Sequence, residues 1–107
     1  MTLTKDSKET IQKRIQQDHE FAVALLDEAV SLLFNGEPKT ARILFRDLVN
    51  ATIGFEELAI ITGKPSKSLH RMLSAQGNPT MDNLIAILQA LRKQLDVEIK
   101  VKITSCA

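Results

Sequence analysis

The stretch Phe55 to Thr80, FEELAIITGKPSKSLHRMLSAQGNPT, constrains this chain more than any other. Two short helices that cross at about 90 to 120° need a small side chain where their backbones come closest, and Ala59 supplies it. Gly63 ends the first helix: a residue with positive φ closes the turn there without a Cβ clash, and Pro65 just beyond cannot continue the preceding helix. Leu69 then plugs the second helix onto a core. Lys67, Ser68, His70 and Arg71 are left on the opposite face, free to meet a partner. This is the spacing of a helix-turn-helix.

The rest of the chain reads as scaffold. Residues 1–7 are polar and frayed, with Thr4, Asp6 or Ser7 able to cap a first helix from roughly Lys8 to Gln17. Its stripe, Ile11 and Ile15, is narrow, so it packs weakly or waits for a partner. From about Asp18 to Phe34 the apolar face is stronger: Phe21, Leu25, Ala29, Leu32 and Leu33. Asp18 and Glu20 suit its positive N-terminal end, and Asn35 and Gly36 stop it. Pro38 opens a third helix with Ala41, Leu44, Phe45, Leu48 and Val49 on one stripe until about Asn50. The motif helices run from Gly54 or Phe55 to Gly63, and from Ser66 as N-cap to about Ala75. After a loop at Gln76 to Pro79, Thr80 or Met81 starts a last helix whose Leu84, Ile87, Leu88, Leu91 and Leu95 brace the motif from behind.

The period then changes. Val97, Ile99, Val101 and Ile103 alternate with Glu98, Lys100 and Lys102, as in a half-buried strand. A lone strand leaves its backbone donors and acceptors unpaired, and no other segment reads as a strand. Its partner therefore belongs to another chain, either a second copy or a different protein. The plainer alternative is an extension of the last helix or a wrap around the bundle, and four alternating β-branched residues argue against the helical version.

A chain of 107 residues, 44% apolar, has room for one domain with one modest core. With no Trp, no Tyr and four Phe, that core is built from Leu, Ile, Val and Ala, which suits packed helices. The expected fold is all-α, five to six helices plus one C-terminal strand. Residues 1–50 form N-terminal helices, residues 51–95 the helix-turn-helix core, and residues 96–107 the strand and tail.

Fourteen basic and thirteen acidic residues nearly cancel, so distribution matters more than net charge. No acidic residue lies between Glu57 and Asp82, whereas Lys64, Lys67, His70 and Arg71 all do. The single cysteine, Cys106, forbids an intramolecular disulfide and fits a reducing compartment. No apolar run approaches the ~18 residues that span a bilayer, and none follows a basic N-terminal segment, so a cytoplasmic location is expected. His19, His70 and Cys106 have no spacing that builds a metal site. No nucleophile and base stand together and no Gly-rich phosphate loop is present, so neither enzyme nor cofactor chemistry is expected.

The stretch from Ala51 to Leu91 resembles the helix-turn-helix of Xre/Cro-type regulators. Nearly the whole chain is similar to bacterial addiction-module antitoxins of the HigA-like group, through NATIGFEELA (Asn50 to Ala59), PSKSLHRML (Pro65 to Leu73), GNPT (Gly77 to Thr80) and NLIAILQAL (Asn83 to Leu91). The resemblance implies a dimeric repressor that binds double-stranded operator DNA in its own operon and, in toxin-antitoxin members, neutralises a RelE-like toxin. It also implies that the second motif helix enters the major groove. Two departures stand out: Met72 and Leu73 look buried where many Xre proteins carry a polar pair, and residues 1–50 exceed the single helix that minimal members place before the motif.

The residues expected to meet DNA are Lys64, Ser66, Lys67, Ser68, His70, Arg71 and Asn78. Arg is the commonest bidentate reader of guanine, and Lys67 with Arg71 stands in the acid-free run; the bland reading is a solvated helix face. Ser66 either caps the helix or touches a phosphate, and His70 is either a contact or an ordinary exposed histidine. Lys64 and Asn78 are loop residues placed to clamp the backbone beside the groove. Thr52 and Gly54 either present N–H groups to phosphate or cap helices. The competing function is an interaction module that grips a toxin or another partner through the N-terminal helices and terminal strand, with DNA binding secondary or lost. A repressor without a toxin is a third reading.

Overall fold

A computed structural model describes residues 5–106. Within them the chain forms six helices and no strand: α1 (Lys5–Gln17), α2 (His19–Phe34), α3 (Pro38–Ala51), α4 (Phe55–Thr62), α5 (Ser66–Met72) and α6 (Met81–Leu95). The fold is all-α.

The joints follow local chemistry. Asp18 ends α1, its N–H donating to the Arg14 carbonyl at 2.9 Å, and caps α2, its Oδ1 accepting the Phe21 N–H at 3.1 Å. Thr80 caps α6 in the same way, accepting the Asn83 N–H at 3.2 Å. Pro38 occupies the first turn of α3, where a missing N–H costs nothing. α1 begins at Lys5, earlier than expected, so residues 5–7 are helical rather than frayed, while Thr4 lies outside the described residues.

α2 lies along α3, and α1 packs on both. The narrow stripe of α1 is enough to dock it: Ile15 is 3% exposed, Ile11 packs against the core, and the Arg14 guanidinium sits 4.1 Å from the Phe21 ring centre, a cation–π contact. Phe45, Leu48 and Val49 of α3 are fully buried and meet Leu58, Leu69, Leu73, Ile87 and Leu91 from the motif and α6 in one continuous core. His19 Nε2 donates to the Leu95 carbonyl at 2.8 Å, tying the start of α2 to the end of α6.

The strand expected from Val97 to Ile103 is not formed. Asp96 ends α6 in the left-handed conformation, φ 55°, and residues 97–106 carry no regular structure. A strand exists only with a neighbour to complete its ladder, and no second such segment is found among the described residues. The alternation itself survives: Val97 and Ile99 are half-buried against the core, while Glu98 and Lys100 face outward. Beyond them Val101 and Ile103 are 59% and 94% exposed.

Candidate nucleic-acid interface

α4 and α5 pack together across a turn centred on Gly63, which adopts φ 68° and ψ 22° and donates its N–H to the Ala59 carbonyl at 2.9 Å. That is the left-handed C-terminal stop that glycine provides without a Cβ penalty. Pro65, at φ −62° and ψ 140°, is the N-cap of α5, so Ser66 is the first helical residue and not the cap. Proline's fixed φ sets the helix start, and the Leu69 N–H donates to the Pro65 carbonyl at 3.1 Å.

Leu69 is 0% exposed and Leu73 likewise, while Met72 is half-buried. On the other side Lys67, His70 and Arg71 are exposed, spaced i, i+3 and i+4, so they form a single row along the helix. Lys64, Ser66 and Ser68 are half-buried beside that row, and Asn78 is exposed in the loop after the helix. His70 has a second occupation. Its ring stacks on Phe55 of α4 with centroids 3.8 Å apart and planes at 19°, which fastens α5 to α4 as a buried aromatic neighbour would. Thr52 and Gly54 serve as caps: Thr52 Oγ1 donates to the Leu48 carbonyl at 2.6 Å, and the Gly54 N–H to the Val49 carbonyl at 2.7 Å. Their N–H groups are therefore spent within the chain.

α5 stops at Met72, three residues short of the expected Ala75. The Ser74 N–H and hydroxyl both donate to the Arg71 carbonyl, at 3.2 and 2.8 Å, and the chain turns away. The carbonyls beyond find an unexpected donor. Arg42 of α3 reaches across, its Nε donating to the Ser74 carbonyl at 3.1 Å and its Nη2 to the Ala75 carbonyl at 2.9 Å. The planar guanidinium spans two successive carbonyls as a lysine ammonium would not. Sequence reading missed Arg42 because nothing local marks a contact of this kind. The one usable signal was a helix end rich in carbonyls and poor in donors.

Arg42→Ala is expected to destabilise the fold by about 1 to 3 kcal/mol through the two charge-assisted bonds and the carbonyls left bare. Thermal unfolding measures that loss. Arg42→Lys should recover only part of it.

Gly77 explains the GNPT string physically. A Cβ there would collide with the backbone carbonyl oxygens of Arg71 and Met72, so only glycine lets the loop pass beneath the end of α5. Gly77→Ala is expected to cost roughly 1 to 3 kcal/mol and to shift the end of α5. Denaturant unfolding reads the first effect, and amide shifts of Arg71 and Met72 read the second.

Among the described residues no cluster of His, Cys, Asp and Glu could hold a metal ion, and no helix is long and apolar enough to cross a membrane. No protein-family model matches the sequence, and no curated protein or solved structure matches it significantly.

Proposed function

We propose that this protein is a sequence-specific binder of duplex DNA that acts as a twofold dimer, with α5 as the helix that enters the major groove. One observation carries the reading: a row of exposed polar side chains, the cations Lys67 and Arg71 with His70 between them, on a short helix fixed from beneath by Leu69 and Leu73, in a stretch with no carboxylate from Leu58 to Met81. Lys67 and Arg71 supply phosphate and base-edge contacts, Ser66 and Ser68 add hydroxyl contacts, and Lys64 and Asn78 hold the flanking backbone. His70 offers its edge and its outer face, the other face being against Phe55.

The Xre-type resemblance extends this to an autorepressor and antitoxin, working in the cytoplasm, whose N-terminal helices or terminal segment engage a RelE-like toxin. Two copies present two α5 helices to a palindromic operator with half-sites about 34 to 36 Å apart. The segment from Val97 to Ile103 becomes a strand only when a second chain pairs with it.

A gel shift on the protein's own promoter tests the central claim. The expected result is a retarded band whose affinity falls steeply with salt, the logarithmic slope being about −0.9 per phosphate neutralised. No retardation at low salt overturns it. A short basic protein encoded next door that copurifies with this one supports the antitoxin reading, and its absence leaves a repressor without a toxin.

A further inference from the structure

Residues 96–103, DVEIKVKI, are acidic at 96 and 98 and basic at 100 and 102, with apolar residues between. Reversed and laid beside itself about Ile99, this segment is its own complement. Val97 then faces Val101 of the second copy, Glu98 faces Lys100 and Ile99 faces Ile99, while Asp96, the left-handed residue that ends α6, stands just before the ribbon on the side of Lys102. Opposite charges directly across an antiparallel pair stabilise it, and like charges destabilise it. A parallel pairing in register sets every charge against its own sign. We infer that two copies join through this segment as an antiparallel two-stranded ribbon with its twofold axis at Ile99.

The fold supplies the seat. A groove of about 550 Å³ runs between α2 and residues 97–100, with Val23, Leu26, Val30, Val97 and Ile99 among its lining. Glu20, Asp27 and Glu98 line it too, against His19 and Lys100, so its acidic side chains outnumber the basic ones. In an antiparallel ribbon, residues directly opposite share a face, so Val101 of the second copy lies on the same side as Val97, toward α2. It fills the groove with a side chain otherwise 59% exposed. Lys100 and Lys102 lie on the ribbon's other face, away from α2, where Lys100 meets Glu98 of the second copy.

The chain's own tail cannot do this. Between Val97 and Ile103 there is no Gly, Pro, Asn or Asp to make the reversal that would fold it back. Reach is sufficient for another copy: seven residues of strand span roughly 23 Å, whereas the stretch of α2 from His19 to Val30 spans roughly 17 Å.

The inference rests on the dimeric part of the proposed function, and its test uses the full chain without DNA. Sedimentation should show a dimer at micromolar concentration. Val101→Asp should give a monomer with unchanged helical circular dichroism. Ala24→Arg, at an exposed position on the α2 wall, should weaken the dimer without touching the ribbon. Glu98→Lys and Lys100→Glu should each weaken self-association by about tenfold, and mixing the two variants should restore a heterodimer, since every cross-strand pair is then opposite in sign. A monomeric wild type, a Val101→Asp dimer as tight as wild type, an unaffected Ala24→Arg dimer, or charge variants that do not complement each overturn the pairing. A wild type that retards its promoter yet sediments as a monomer refutes the ribbon alone. One that dimerises but never retards DNA refutes the role of α5 and leaves the ribbon standing.

Discussion

Replacing Lys67 and Arg71 together by alanine is expected to weaken promoter binding by roughly 100-fold, from the loss of one base-reading contact and one phosphate contact. Both side chains are exposed on α5 and outside the core, so unfolding temperature and dimerisation should stay within a narrow margin of wild type. The two substitutions separate further on salt. A phosphate contact contributes to the salt slope, and its removal flattens the plot of affinity against ionic strength by about one phosphate equivalent. Arg71→Ala, if it reads guanine, also relaxes preference at one operator position while Lys67→Ala weakens all sequences alike. Unchanged promoter affinity in the double variant would exclude α5 as the reading helix.

The second large effect is on stability. Leu69 is completely buried beneath α5, and Leu69→Ala is expected to cost about 2 to 5 kcal/mol, the lost transfer energy plus the cavity that remains. Set against the total of roughly 5 to 15 kcal/mol typical of a domain, this brings the protein near its unfolding threshold. The midpoint of thermal unfolding should fall by on the order of 10 to 20 °C. DNA affinity should fall with it even at temperatures where α1, α2 and α3 remain folded, because α5 has no other side chain that is fully buried. Leu69→Met, which conserves volume, should retain most of both properties. An alanine variant as stable as wild type would mean that α5 is seated by something other than this plug.

Much of the architecture was legible because it obeys periodicities that need no tertiary knowledge. The stripes of α3 and α6 are regular, Asp18 and Thr80 are caps by residue type, and Ala59, Gly63 and Leu69 define a turn that has few alternatives. By contrast, α2 buries Ala22, Leu26, Ala29 and Val30, one step round from the expected stripe, whose Phe21, Leu25, Leu32 and Leu33 are only partly buried. The contacts that refine the site were hidden because they join residues distant in sequence. Arg42 and Ser74 are 32 residues apart, and the Phe55–His70 stack is a property of how two helices approach rather than of either string. The end of α5 was misplaced because its stop is made by Ser74, Gly77 and Arg42 rather than by a helix breaker at Ala75. The terminal strand failed for a different reason: alternation specifies which faces a segment presents, whereas a ladder also requires a second segment.

The two anchors of α5 come from different helices. Gly63 joins its leading end to α4 and the His70 stack holds its last turn to the same helix, while Arg42 of α3 clasps the Ser74 and Ala75 carbonyls just past its end. A rod pinned at both ends to separate beams keeps a constant angle of attack. For a DNA reader built this way, the distance between two such rods acts as a ruler. Inserting one base pair between half-sites displaces the second groove by about 3.4 Å along the axis and about a tenth of a turn around it. A head without play has no means to follow that step, so operator spacing becomes as strict a determinant of recognition as operator sequence.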